Sequence, residues 1–186
     1  VVCTDGSRFP ADLIIIGVGV IPNVELAEAC GLATDNGILV DEFARTSDPD
    51  IVAAGDCTNH PNELLGRRVR LESVPNAVEQ AKTAAGTLWD RPVPYQSYPW
   101  FWSDQYDLKL QIAGLSEGYD QVVLRGGKDR QRGFVAWYLR GGRLLAADCI
   151  NRPKEFMVAR QLLARGLAVD PVALADETID PKNWLS

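Results

Sequence analysis

The stretch Ile51-Val-Ala-Ala-Gly-Asp-Cys57 constrains the fold more than any other. Ile51 to Ala54 is a short apolar run and reads as a buried strand. It stops at Gly55, where the missing side chain lets another group approach the backbone. The next residue is a carboxylate, Asp56, and α/β folds bind ligands just beyond their strand ends. An ordinary buried strand ended by a turn aspartate would read the same way. Further on, Ser73-Val-Pro-Asn-Ala-Val-Glu-Gln80 opens a helix with Pro75 in its first turn. The free N–H groups of that turn can face the same crevice and hold an anion or a polar ring edge.

The residues before this stretch agree with an α/β arrangement. Asp5-Gly6 marks a tight hairpin between Val1 and Phe9. Ala11-Asp-Leu-Ile-Ile-Ile16 is a continuous β-branched run, expected as a strand buried on both faces. Gly17, Val18 and Gly19 follow it, and two glycines there give either a backbone that a ligand can touch or a plain exit loop. The spacing is not GxGxxG, so it is no phosphate fingerprint. A short helix is expected over 23–30, stopped by Gly31, and a short strand over 37–40.

After Cys57, residues 60–66 read as an irregular loop. Arg67 to Leu71 reads as a half-exposed strand with Arg68 and Arg70 on one face. The helix after Pro75 places Ala77, Val78, Ala81, Ala84, Ala85 and Leu88 on one side, which is expected to pack on a sheet or a cofactor. Glu79, Lys82 and Thr83 fall off that stripe. Residues 89–98 hold Pro92 and Pro94 without periodicity and read as a linker.

Beyond it the pattern becomes short alternating strands, with Gly141-Gly142 as a two-residue hairpin turn. A helix is expected over 154–165, stopped by Gly166, and another from Asp170-Pro171. The fold class is therefore α/β plus α+β, the second part being a small antiparallel sheet with helices. Pro99-Trp-Phe-Trp-Ser-Asp-Gln-Tyr106 is dense in aromatics, which either cap a core or face a planar ligand or partner.

Composition narrows the function. With 46% hydrophobic and 24% charged residues, the 186-residue chain is globular. No apolar run reaches the roughly 18 residues of a membrane span. A net charge of -6 disfavours nonspecific nucleic-acid binding. Four scattered cysteines without a CxxC, and a single histidine, give no metal site. Unpaired thiols lead us to expect a reducing, cytoplasmic setting. Position 1 is Val and the only methionine is Met157, so we expect a piece of a longer protein.

Four motifs in order carry a family resemblance: Gly17-Val-Gly-Val-Ile-Pro-Asn23, Ala54-Gly-Asp-Cys57, Arg70-Leu-Glu-Ser-Val-Pro-Asn-Ala-Val-Glu-Gln-Ala81 and Pro99-Trp-Phe-Trp-Ser-Asp-Gln105. The chain resembles the FAD-dependent NAD(P)H:ferredoxin reductases of bacterial cytochrome P450 and ring-hydroxylating dioxygenase systems. The resemblance implies the C-terminal part of a two-dinucleotide-domain flavoprotein. Residues 1–20 would end the NAD-binding domain, 21–96 would be the second segment of the FAD-binding domain, and 97–186 the interface domain. It also implies electron passage from NAD(P)H through FAD to a [2Fe–2S] ferredoxin. Neither dinucleotide fingerprint of such proteins lies in these residues, so the chain alone is expected to hold neither cofactor well and to be inactive.

The resemblance further implies roles residue by residue. Gly55 and Asp56 would meet the ribityl chain of FAD, and Val74 with Pro75 the pyrimidine edge of its ring, with the helix dipole behind them. Glu72 would lie near the flavin or the nicotinamide approach. Trp102 would lie beside the flavin, and Trp100 and Lys82 would face the ferredoxin, with Arg67, Arg68 and Arg70 behind Lys82. Gly17, Val18 and Gly19 would line the NAD side. No side-chain nucleophile, general base, metal, nucleic acid or membrane enters this reading, and the oligomeric state stays open. Nitrite-reductase-type, apoptosis-inducing-factor-like and coenzyme A disulfide reductases remain alternatives, as does a stand-alone dimerisation or binding module.

Overall fold

The computed structural model describes residues 1–127 and 133–185. The chain opens on a small hairpin. Gly6 turns it at φ 85°, Val2 bridges Arg8, and the Cys3 N–H donates to the Ser7 carbonyl at 2.9 Å. Helix α1 (Glu25–Ala29) stops before Gly31, which takes φ 73°.

Strand β1 (Ile38–Leu39) runs parallel to β2 (Thr58–Asn62), and β2 pairs antiparallel with β3 (Arg67–Val69). A 3-10 turn over Glu63–Leu65 links β2 to β3; the Asn62 side chain accepts the Leu65 N–H at 3.1 Å, and Gly66 closes the turn at φ 64°. Helix α2 (Val74–Leu88) follows β3.

The second sheet has the order β4-β5-β8-β7-β6 and is antiparallel throughout. Its strands are β4 (Trp100–Gln105), β5 (Leu108–Gly114), β6 (Gln121–Gly126), β7 (Phe134–Arg140) and β8 (Arg143–Ile150). Gly141 and Gly142, at φ 54° and 77°, make the β7–β8 hairpin; positive φ at both central positions matches the strands' right-handed twist. Helix α3 (Pro153–Arg165) lies on this sheet and ends at Gly166 in the left-handed region. Val135, Trp137, Leu139, Ala147 and Cys149 from the sheet meet Phe156, Ala159, Leu162 and Leu163 of α3, with Leu174 of α4 (Pro171–Ala175). Asp170 caps α4 by accepting the Val172 N–H at 3.0 Å.

Four expectations change. The Ala11–Ile16 run forms no strand, and Leu13 and Ile15 are 78% and 87% exposed. A β-branched run becomes a strand only where a neighbour supplies its ladder bonds, and no described segment pairs with it. Ile51–Ala54 is likewise not a buried strand: Val52 makes one isolated bridge to Arg45, and Ile51 is exposed. Residues 60–62 are strand rather than loop, because the hairpin with β3 pairs His60, Pro61 and Asn62 in register with Val69, Arg68 and Arg67.

The fourth change concerns α2. Its buried face is Asn76, Gln80, Thr83, Ala84 and Thr87, while Val78, Ala81, Ala85 and Leu88 are exposed. Hydrogen bonding decides this. The Tyr95 hydroxyl donates to Asn76 Oδ1 at 3.0 Å, Gln80 Oε1 accepts from Thr58 at 2.7 Å, and the Thr87 hydroxyl donates to the Phe43 carbonyl at 2.7 Å. Polar side chains with partners tolerate burial that unpartnered ones do not.

Candidate functional site: a groove along α2 to the tryptophan pair

Gly55 is buried at φ 95°. A Cβ there would sit 3.6 Å from that of Ala77, an ordinary contact, so backbone conformation rather than crowding calls for glycine. Its N–H donates to Gln80 Oε1 at 2.7 Å, and its carbonyl accepts the Thr58 hydroxyl at 2.8 Å. These bonds fix the turn on α2 and leave Asp56 exposed beside it.

Arg70 joins Asp56 to Glu72. One guanidinium nitrogen donates to the Asp56 carbonyl at 3.2 Å, and another pairs with Glu72 Oε1 at 2.9 Å. The structure thus brings Asp56, Glu72 and the start of α2 to one side of this unit. At that start, the Ser73 hydroxyl accepts the Asn76 N–H at 3.2 Å, and Pro75 has no N–H to satisfy.

From Val74 and Pro75 an open groove of about 800 Å³ runs along α2 past Val78 and Lys82 to Trp100, Trp102 and Arg160. Trp100 packs on the core of the second sheet, with its ring 5.7 Å from Phe156 and 5.5 Å from Trp102. Trp102 is 46% exposed. The candidates Val74, Pro75, Lys82, Trp100 and Trp102, scattered over 29 positions of sequence, therefore line a single surface.

Several candidates sit differently from expectation. Lys82 is not a free cation, since its Nζ pairs with Glu79 at 2.7 Å. The reserve of cations behind it is committed elsewhere: Arg67 to Glu117 at 2.6 Å, Arg68 to Asn59 and the Val40 carbonyl, and Arg70 to Glu72. Gly17, Val18 and Gly19 lie in an exposed segment, and a Cβ built at Gly17 or Gly19 would meet nothing within 4 Å. They are not brought to the groove.

Arg160 is the residue that sequence reading missed. It stacks over the Trp100 ring at 5.0 Å and the Phe156 ring at 5.8 Å. The signal available was local, because Phe156 and Arg160 are four apart on one helix and share a face. The link to Trp100 is tertiary and left no mark in spacing. Arg91 also lines the groove.

The protein's one histidine is no candidate base. His60 is buried, with its ring edge-on to Tyr95 at 5.0 Å. Burial, aided by nearby Arg68, lowers its pKa to about 4. Burial pushes the Cys149 thiol up, away from thiolate chemistry. The groove offers hydrogen bonds, an aromatic face and cations, not a nucleophile.

Comparison with known proteins fits this geometry. Residues 1–81 match the pyridine nucleotide-disulphide oxidoreductase family, and residues 100–185 the reductase C-terminal family. The first part of the chain thus resembles a pyridine nucleotide-disulphide oxidoreductase and the second a reductase C-terminal unit. The chain is 50% identical over 186 residues to putidaredoxin reductase CamA of Pseudomonas putida, covering 100% of this chain and 44% of that protein. It is 44% identical over 182 residues to rhodocoxin reductase of Rhodococcus erythropolis, covering 98% of this chain and 42% of that one. A ferredoxin reductase from Rhodopseudomonas palustris superposes with a TM-score of 0.92 at 45% identity, over 100% of this chain and 46% of that chain. A chain of the covalent putidaredoxin reductase–putidaredoxin complex gives 0.90 at 49% identity, over 98% and 44%. Over nearly its whole length the chain is thus similar to ferredoxin reductases. It spans under half the length of the relatives it matches.

Proposed function

We propose that this chain forms one wall of an FAD site, and the electron exit beside it, in an oxidoreductase that passes electrons from NAD(P)H to a [2Fe–2S] ferredoxin. The observation that carries the reading is the groove joining Val74 and Pro75 at the start of α2 to Trp100, Trp102 and Arg160.

The residues suit that cofactor. Gly55 has no side chain to obstruct it, and the Asp56 carboxylate is exposed, ready to accept from a ribityl hydroxyl. Val74 and Pro75 open a 15-residue helix whose positive end favours negative charge at a ring edge. Glu72, held by Arg70, borders the same side. When bound, FAD accepts electrons in pairs from a nicotinamide and releases them singly, which is the chemistry the protein itself lacks.

The chain's own work is positioning. Asp56 and the first turn of α2 orient the cofactor, Trp102 covers its approach, and Trp100 holds Trp102 in place. Arg160, Arg91 and Lys82 give the groove a cationic rim toward an acidic ferredoxin, with Glu79 offsetting Lys82. Gly17, Val18 and Gly19 would keep to the NAD side. The division of the chain near residues 20 and 96 follows the same reading. Four free cysteines support a cytoplasmic setting; no helix among the described residues is long and apolar enough to cross a membrane.

Steady-state assay of a full-length reductase containing this chain tests the proposal. NADH-driven reduction of a [2Fe–2S] ferredoxin is expected. Reduction of nitrite or disulfides without ferredoxin reduction would overturn it.

A further inference from the structure

We propose that Arg70 is a positioning residue for the cofactor wall: its one guanidinium holds Asp56 and Glu72 in the arrangement that meets the flavin. This rests on the flavin-wall reading above.

The sequence suggests a half-exposed strand arginine, free to face a partner. Instead the Arg70 side chain is only 12% exposed and ties three segments together. Its Nε donates to Asn36 Oδ1 at 3.2 Å, in the turn before β1. One terminal nitrogen donates to the Asp56 carbonyl at 3.2 Å, and the other pairs with Glu72 at 2.9 Å. Only a planar, multi-donor cation reaches three acceptors set this way. Asp56 and Glu72 are 16 positions apart and lie on different segments, and Arg70 is the side chain bonded to both.

The neighbouring backbone is closed around this cation. A Cβ at Gly37 would lie 3.1 Å from Arg70 Cδ and 2.8 Å from the Cys57 carbonyl. Gly37 also takes φ 125°, which side-chain-bearing residues rarely adopt. The Asn36–Gly37 turn thus presses on Arg70 from one side while the Gly55–Asp56 turn is bonded to it from the other. Asp56 takes no bond from the guanidinium through its own carboxylate; Arg70 holds its carbonyl and leaves the carboxylate available. The Glu72 carboxylate is by contrast partly neutralised, so of the two acids Asp56 is the one left to accept from a hydroxyl.

The test uses the full-length FAD-loaded reductase and reads cofactor release after dilution, by recovery of free-flavin fluorescence. Arg70→Gln is expected to speed FAD release about tenfold, the scale of losing bonds to a charged group. Arg70→Lys keeps the charge but not the fork, and is expected to restore less than half of that loss. In an Asp56→Ala background, Arg70→Gln should add less than about twofold, because its effect runs through the Asp56 turn. A purely structural arginine would instead multiply the two losses, and that outcome overturns the proposal, as does unchanged release in Arg70→Gln. Should Arg70→Gln fail to fold, Arg70→Lys takes its place in the same cycle with the same two outcomes. Unchanged release in Asp56→Ala alone would bring down the flavin-wall reading and this inference with it.

Discussion

The Gln80 side-chain oxygen accepts the Gly55 N–H at 2.7 Å across 25 positions of sequence. The same oxygen takes the Thr58 hydroxyl at 2.7 Å. One buried amide in the middle of α2 therefore sets where the Gly55–Asp56 turn sits relative to that helix. The candidate cofactor wall is assembled by a polar clasp rather than by apolar packing.

Removing the clasp should be costly. Gln80→Ala strands the buried Gly55 amide, while the Thr58 hydroxyl keeps the Gly55 carbonyl as acceptor. We expect a loss of about 1–3 kcal/mol in urea unfolding. An unchanged midpoint would mean that water or a neighbour takes over the Gly55 amide.

Asp56→Ala removes the exposed acceptor without touching the clasp. In the full-length protein it should weaken FAD retention by roughly 1–3 kcal/mol, the scale of a charge-assisted hydrogen bond. Equilibrium titration of the apoprotein with FAD measures it; unchanged affinity counts against the assignment.

His60 makes stability depend on pH. Its folded pKa of about 4 lies below the ordinary value of 6.5, with burial the main cause. The unfolded chain therefore takes up the proton first. The contribution is fully present above about pH 6.5 and is lost as pH falls toward 4. Between pH 7 and pH 5 the wild type should lose on the order of 2 kcal/mol more stability than His60→Gln. Parallel losses in the two proteins would show that His60 titrates normally.

The second sheet holds a buried ion pair. Arg125 and Glu155, with side chains 3% and 7% exposed, lie 3.4 Å apart. Arg125 also donates to the Asp176 carbonyl and, at 2.8 Å, to the Ile179 carbonyl, and stacks on Trp184 at 5.1 Å. Glu155→Gln leaves a buried cation with no counter-charge on that side, although Arg152 also approaches Glu155 at 3.4 Å. We expect a loss of about 3 kcal/mol in urea unfolding and faster proteolysis of the segment after residue 175. Wild-type resistance would show that the carbonyls alone satisfy Arg125.

The second sheet was legible in sequence because its signals are local. Alternation marks β5 and β6, Gly141-Gly142 marks the turn between β7 and β8, and Gly166 marks the end of α3. The first unit was not, because its elements depend on partners. Ile14 and Ile15 have strand propensity but no ladder, while His60-Pro61-Asn62 has little propensity and a full one. In α2 apolar periodicity named the wrong face, since Asn76, Gln80 and Thr87 are buried by bonds to distant residues that no spacing discloses. The site followed the same rule. Asp56, Val74 and Trp102 became candidates through motifs, whereas Arg160 and the brace of Arg70 exist only in three dimensions.

The most direct test separates the two ends of the groove in one stopped-flow experiment on the full-length reductase. Arg160→Glu with Lys82→Glu reverses the cationic rim beside Trp100 and Trp102. At low salt, electron transfer to the ferredoxin should slow about tenfold or more, with the difference shrinking as salt is added. Flavin reduction by NADH should keep its wild-type rate. Equal slowing of both steps, or undiminished transfer to the ferredoxin, would contradict a groove that carries electrons from the cofactor wall to an acidic partner.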